Sequence, residues 1–369
     1  MIKWYIMKKK NIVAVFLLMF FAVCANAQTN EERVYIQELT LMPGGEMQCM
    51  TIALENGSYD NYTGFQFDVE LPEGLEVAYY DGEPEIYKAE GDHVYPTRRD
   101  DHVVAYRVDG NLVKIRCYSA TNKLFEKTNG ALIDIYVVPT AYLKPGDVEV
   151  KLHDVKFSTS EETYGYKADV VTSNDVKSGN ECTLAIKISS SNKYSTAVFP
   201  FDVANIPEDL EVYSCNSIDG GYLMLERQKS IVAYRPYILF AYNGFDKTFS
   251  GTVDVNKYEE CVVDGYITGT LVTQEIGGGN GYYVMQNKGE GAMFYKVGDT
   301  TFSIPAGKCW VTIPAGSQAA AFFRFGQFTS IDGVEGEVGD VVVYDLGGRQ
   351  VENPGKGLFI INGEKMLVK

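Results

Sequence analysis

The chain has three histidines, His93, His102 and His153, on three separate segments. None has the i, i+4 spacing of a zinc-binding helix, and none has a cysteine at ligand spacing. No EF-hand loop occurs either. No metal and no cofactor are therefore expected, and histidine at a strand end is ordinarily an exposed polar residue. Gly277, Gly279 and Gly281 could suggest a phosphate loop. Such a loop needs a helix opening behind it to supply N–H groups, whereas GYYVMQN, which follows, reads as a strand. The sequence contains no G-x-S-x-G elbow and no Walker A lysine. Among 49 acidic residues some pair will always meet glycosidase spacing, so proximity singles none out. No residue is assigned a catalytic role.

What the spacing does provide is a polar face. Phe65, Phe67, Val69 and Leu71 alternate with Gln66, Asp68 and Glu70. Val113, Ile115 and Cys117 alternate with Lys114, Arg116 and Tyr118. A period of two places one set in a core and the other in water. Gln66, Asp68, Lys114, Arg116 and Tyr118 are the candidate binding residues. Tyr118 is a large, stiff, amphipathic contact, and Arg116 can grip a carboxylate. The plainer alternative is cross-strand charge pairing on a solvated face, worth under about 1 kcal/mol per pair. Outward charges are the default on strands.

The elements that hold this face begin with the stretch GFQFDVELPEGLEV, Gly64 to Val77. Pro72-Glu73-Gly74 stops the ladder, because proline lacks an N–H and glycine permits positive φ. The pattern returns in AVFPFDVANIPEDLEV, Ala197 to Val212, one residue longer between its Phe and its Pro. Two copies of one strand–turn–strand device imply two β-domains, at 33–177 and 180–327. In the first, Val34–Met42, Met47–Leu54, Val103–Val108, Leu112–Ala120, Ala131–Val138 and Val148–Lys156 read as strands, with a hairpin at Asp109-Gly110. In the second, Cys182 to Ile188 alternates cleanly. Gly221–Arg227, Ile231–Tyr234, Tyr237–Tyr242, Tyr282–Gln286 and Cys309–Ile313 follow. No segment sustains a helical period, so an all-β sandwich architecture is expected.

Lys8, Lys9 and Lys10 precede an apolar run from Ile12 to Cys24 that is too short for a stable anchor. Ala25-Asn26-Ala27 then fits signal peptidase cleavage; lipoprotein cleavage at Cys24 is the rival, with Val23 where a small residue is preferred. Cleavage after Ala27 removes Lys3 and the three lysines but no acid. The mature chain is then more acidic than the full sequence, whose net charge is −16. That balance argues against nucleic acid or anionic lipid as partner. No later segment is long and apolar enough to span a membrane. Six cysteines remain, and phase points Cys49 outward and Cys117 inward. Disulfides and small buried hydrophobes both fit. Residues 328–340 are Gly- and Glu-rich and lack an apolar period, as a linker does. Three short strands are expected in the tail at 341–369, two of them joined through Asn362-Gly363.

The succession of a PGG turn, GFQFDVELPEGLEV, LVKIRCYSATNKLF, GALIDIYVV and GDVEVKLHDVKF resembles the cohesin family and its carbohydrate-binding relatives. The resemblance covers nearly the whole first domain. It implies a jelly-roll β-sandwich that binds a protein partner or, in related modules, polysaccharide. Cohesins present one sheet face to a dockerin, and the strands in that position would be Gln66–Glu70 and Lys114–Tyr118. The sequence GYYVMQNKGEGAMFYKVGDTTFSIPAGKCWVTIP is similar to a β-domain of surface proteins from Bacteroidales-type bacteria. VVVYDLGGRQVENPGKGLFIINGEKMLVK resembles the end of type IX secretion sorting domains, over their last three strands. Together these imply a secreted or cell-surface protein with a protein or glycan partner. Two classes of function follow: a non-enzymatic binding or adhesion module, and a structural subunit or spacer of a surface assembly. A polysaccharide-active enzyme is the distant third. A glycan binder should show a row of exposed aromatics. A structural subunit should show a long open edge or a self-complementary patch.

Overall fold

The computed structural model describes residues 32–55, 62–89, 102–126, 129–159, 166–167, 170–219, 221–278, 281–289, 291–313, 320–327, 343–344, 357–361 and 364–368. The expected signal segment, His93 and the 328–340 linker lie outside them. Within them the chain is all-β. The one helical turn is the 3-10 turn Val255–Lys257, where Asp254 accepts from the Asn256 N–H.

Among the described residues fourteen strands belong to the first region, twelve in the two sheets of a sandwich and two, Tyr79–Tyr80 and Glu83–Pro84, in a separate hairpin. They are β1 (Arg33–Leu41), β2 (Gln48–Glu55), β3 (Tyr62–Glu70), β4 (Leu75–Val77), β5 (Tyr79–Tyr80), β6 (Glu83–Pro84) and β7 (Ile86–Lys88). The series continues with β8 (His102–Asp109), β9 (Leu112–Ser119), β10 (Asn129–Pro139), β11 (Gly146–Asp147), β12 (Lys151–Thr159), β13 (Tyr166–Lys167) and β14 (Val171–Ser178). A seven-stranded sheet runs β11-β14-β1-β2-β10-β4, with β7 also on β10. A five-stranded sheet runs β13-β12-β3-β9-β8. The first and last long strands, β1 and β14, lie side by side in parallel.

Alternation sets the core. Phe65, Phe67 and Val69 of β3 and Val113, Ile115 and Cys117 of β9 are buried with Met50, Ile52, Ile133 and Ile135 of the other sheet. Each such apolar side chain contributes about 2 kcal/mol on burial. The Pro72 carbonyl accepts from the Leu75 N–H at 3.1 Å, and the chain crosses there from one sheet to the other. Gly74 stands at φ +83°, and a Cβ on it would fall 2.6 Å from Leu143 Cα. Only glycine meets both conditions.

Two strand boundaries differ from the sequence expectation. Asp109 pairs with Leu112, so the hairpin turn is Gly110-Asn111, one residue beyond the dipeptide read from the sequence. The strand expected at Val148–Lys156 is β12, and its register with β3 slips between His153 and Lys156. Asp154 sits at φ +54° within that bulge. The bulge moves the buried phase from Leu152 to Val155 and Phe157.

The second region comprises β15 (Glu181–Ile188), β16 (Tyr194–Val198), β17 (Glu211–Asp219), β18 (Tyr222–Arg227), β19 (Pro236–Phe240), β20 (Phe245–Thr252), β21 (Cys261–Asp264) and β22 (Ile267–Thr270). It is completed by β23 (Gln274–Ile276), β24 (Tyr282–Asn287), β25 (Ala292–Lys296), β26 (Phe302–Ile304), β27 (Cys309–Thr312) and β28 (Phe322–Gln327). Its main sheet runs β16-β19-β17-β18-β28-β25-β24-β27-β22-β21, with β15 paired to β20 and β23 to β26. The main sheet curls onto itself. A Cβ on Gly269 of β22 would lie 2.4 Å from Val198 of β16, and Cys309 Sγ of β27 donates to the Ala197 carbonyl at 3.5 Å. The strand expected at Ile231–Tyr234 is instead a single bridge, Val203 to Ile231, followed by a turn with Tyr234 at φ +64°.

The two cores interlock within one compact unit that runs to Gly326. Gly44 packs so closely on the second region that a Cβ would lie 1.7 Å from the Thr183 carbonyl oxygen. Thr183 Oγ1 donates back to the Gly44 carbonyl at 2.6 Å. Tyr142 inserts its ring against Gly307 and donates to the Val198 carbonyl at 3.4 Å. Residues Gln327–Lys369 form a separate unit. Its described strands, β29 (Val343–Tyr344), β30 (Gly357–Ile361) and β31 (Glu364–Val368), make a three-stranded sheet in that order. Ile361 pairs with Glu364, so a two-residue connection joins the last hairpin.

Candidate binding face

The face is built by three neighbouring strands whose register is continuous. β3 and β9 place Gln66 opposite Arg116, Asp68 opposite Lys114, and Gly64 opposite Tyr118. β8 continues the rows with Ala105 beside Arg116, Arg107 beside Lys114 and Val103 beside Tyr118. All five residues named from the alternation thus lie on one outward surface, Gln66 and Asp68 half-buried and the others exposed.

Ion pairs and side-chain hydrogen bonds organise the surface on both sides of Arg116. Lys114 Nζ lies 3.9 Å from Asp68 Oδ2. Lys156 Nζ lies 2.7 Å from Asp154 Oδ1, and His153 Nε2 lies 2.8 Å from Glu70 Oε2. Gln66 Nε2 donates to Asp154 Oδ2 at 3.4 Å. The hydrogen bond from Lys156 is the main reason the Asp154 carboxyl is held below the usual carboxylate range. Arg116 has Gln66 and Ala105 as its cross-strand neighbours, and its charge helps to hold the Asp154 carboxyl down.

Tyr118 is 52 % exposed. Its neighbour across the ladder is glycine, and a Cβ on Gly64 would lie 2.5 Å from the Cys117 carbonyl oxygen. One flank of the ring therefore has no side chain beside it, and Val103 borders the other. Beneath the face the Cys117 thiol is pushed up to about 12 by burial, so it stays protonated and acts as a core hydrophobe.

Sequence reasoning missed the β12 contribution. His153 and Asp154 project in series because the bulge inserts a residue. The signal was present: in KLHDVKF the apolar spacing changes from two to three between Leu152 and Val155. Bulges re-aim side chains in this way.

His102 corrects another expectation, because it is fully buried, with Nε2 3.2 Å from the Thr63 carbonyl and its ring beside Phe125. Among the described residues no three His, Cys, Asp or Glu side chains are placed to hold a metal ion. The six described cysteines carry no disulfide. No helix among the described residues is long and apolar enough to cross a membrane.

No protein-family model matches the chain, and none of the curated proteins does. Among solved structures it is similar to a non-cellulosomal cohesin from the hyperthermophilic archaeon Archaeoglobus fulgidus. There the identity is 13 %, over 40 % of this chain and 91 % of that one, with a TM-score of 0.30. It is also similar to the OlpA cohesin of Clostridium thermocellum, solved with a dockerin, at 13 % identity, 40 % and 99 % coverage and a TM-score of 0.33. The third ScaC cohesin of Acetivibrio cellulolyticus, solved with the ScaB dockerin, gives 14 %, 40 %, 98 % and 0.30. At these values no residue role is carried over from those proteins.

Proposed function

We propose that the chain is a non-enzymatic extracellular binding module. Its five-stranded sheet presents Gln66, Asp68, Lys114, Arg116 and Tyr118 to a protein partner at the cell surface. The observation that carries this is the placing of an exposed guanidinium beside an exposed, glycine-flanked tyrosine on one sheet face. Arg and Tyr dominate interface energetics because they bury large area with few rotors. The surrounding ion pairs add little stability themselves, but they hold the face flat and polar. Arg116 then offers a fork to a partner's carboxylate, and Tyr118 offers the ring beside it. The signal segment and the sorting-like tail support export, with the tail serving retention rather than folding.

A second reading, a spacer in a surface assembly, is favoured by the interlock of the two cores at Gly44–Thr183 and Tyr142–Gly307. Capture from surface extracts of the source bacterium separates the two. The binding module should retain a discrete protein, and Arg116→Ala with Tyr118→Ala should abolish retention with melting unchanged. A spacer would retain nothing, or would retain the same protein with or without the double change.

A further inference from the structure

A second feature opens where the curled sheet of the second region comes apart. The β24–β27 ladder ends at Val284 and Trp310. Among the described residues, Met285, Gln286 and Asn287 of β24 then pair only with β25, and β16 pairs only with β19. The Cys309 N–H donates to Thr196 Oγ1 at 3.1 Å, which ties the start of β27 to β16. A cavity of about 220 Å3 remains here, lined by Tyr194, Ser195 and Thr196 of β16 and by the free end of β24.

Its chemistry is one-sided. Lys308 brings a positive charge to the lining, and the described residues bring no carboxylate. The Lys308 ammonium lies 3.3 Å from Ser195 Oγ and 3.4 Å from the Thr196 carbonyl. In so acidic a chain, with a net charge of −16, lysines elsewhere find acids: Lys156, Lys187 and Lys247 each have a carboxylate within 3.2 Å. Lys308 has none among the described residues. Desolvation by the strands around it lowers its pKa from the ordinary lysine value. The walls are fixed. Asn287 Nδ2 donates to Asn192 Oδ1 at 2.8 Å, and the Tyr194 ring stacks on Phe325 at 4.3 Å and 28°.

We infer that this cavity binds a carboxylate at the end of a short uncharged chain, either a peptide C-terminus or a small organic acid. One ammonium balances one negative charge, whereas a dianionic phosphate would keep a second charge without a partner. The half-buried Gln286 carboxamide lines the cavity and can donate to the other carboxylate oxygen. Hydrogen bonds to an ionised oxygen are the strong ones. Met285, Ala292 and the Tyr194 ring offer apolar wall to the chain behind the carboxylate. The strand edges of β16 and β24 that flank the gap suit an extended backbone. A cationic group would meet Lys308 and find no acid in the described lining.

Isothermal titration of the full chain with N-acetyl-dialanine, its C-terminal amide, butyrate and inorganic phosphate tests the inference. At least one of the two acids should bind. Tighter binding of the peptide acid identifies a chain terminus, and binding of butyrate as tight or tighter identifies a small organic acid. The amide should bind about tenfold more weakly than the peptide acid, the scale of one lost charge-assisted hydrogen bond. Lys308→Gln keeps a donor on β27 but removes the charge, and it should weaken the acid about tenfold with Tm unchanged. Gln286→Ala provides an independent variant and should weaken it about fivefold. Arg116→Ala with Tyr118→Ala should leave it unchanged, which separates this site from the protein-binding face. Binding by neither acid, equal binding of the amide, preference for phosphate, or acid binding that Lys308→Gln leaves intact would each overturn the assignment.

Discussion

The corner at Pro72 and the corner at Pro207 begin from nearly the same sequence and end in different uses. Each closes with one hydrogen bond, from Leu75 N–H to the Pro72 carbonyl at 3.1 Å and from Leu210 N–H to the Pro207 carbonyl at 3.0 Å. The third turn residue is Gly74 at φ +83° in one; Asp209, in the other, is outside the positive-φ region. The strands before the turns diverge further. β3 runs unbroken for nine residues and is paired on both sides, so its alternate side chains reach water. In the second copy Pro200 interrupts the ladder and β16 ends at Val198. Phe199, Pro200 and Phe201 are then all buried. Phe201 packs so tightly on Gly251 that a Cβ there would lie 2.4 Å from the ring. Asp202 accepts from the Ala233 N–H at 2.7 Å and so serves the fold. A shared turn therefore specifies a change of direction, while the strand before it decides whether a face is left for a partner.

The largest effects should come from breaking this contrast in the core. Phe201→Ala should cost about 3–5 kcal/mol by chemical denaturation, the range for a buried aromatic. Gln66→Ala, on the wet face of the other copy, should stay within about 0.5 kcal/mol. Next comes the turn itself. Gly74→Ala should cost about 3 kcal/mol, from the strained φ and the contact with Leu143. Asp209→Ala should produce a much smaller shift in Tm, since its turn does not demand glycine and its Lys247 partner is exposed.

Alkali should separate the two regions more gently. Burial raises Cys117 in the first core, and Cys182, Cys215 and Cys309 in the second, to about 12, 12, 11 and 12 respectively. The ordinary thiol value is 9.0. A folded pKa above the unfolded one contributes stability that is full below pH 9 and is lost as pH rises toward the folded value. With three such thiols against one, hydrogen exchange between pH 8 and pH 11 should show protection falling first in β15, β17 and β27. Equal loss in β3 and β9 would contradict this.

Smaller still is the expected cost of removing residues 341–369. They belong to a separate unit, so Tm of the remainder should move by no more than about 2 °C. Unfolding of the shortened chain would place the tail in the second core. At the low end, the depressed carboxyl of Asp154 contributes stability above its unfolded pKa that is lost as pH falls through the folded one. Asp154→Asn should flatten the acid limb of the melting profile slightly.

The sandwich was legible because β3 and β9 alternate strictly, and strict alternation fixes both core and face. The candidate residues came from that same period, which is why the structure brings them together. What the sequence hid was register and edge. The β12 bulge adds His153 and Asp154 to the face through one inserted residue, which a period of two passes over. His102 occupies the first position of an edge strand, where exposure is the ordinary expectation, yet Thr63 and Phe125 enclose it. In the second copy, FPF reads as continuing strand by composition, but Pro200 cannot donate to a ladder.

The claim at the centre is that the outward face of β3 and β9 meets a partner while the matching stretch of the second copy does not. A photoreactive benzoylphenylalanine replacing Tyr118, with the same group replacing exposed Tyr222 as control, tests it in the source organism. The account predicts a covalent adduct with one discrete protein from position 118, its loss when Arg116→Ala is added, and none from position 222. No adduct from position 118, or the same adduct from both positions, would contradict it.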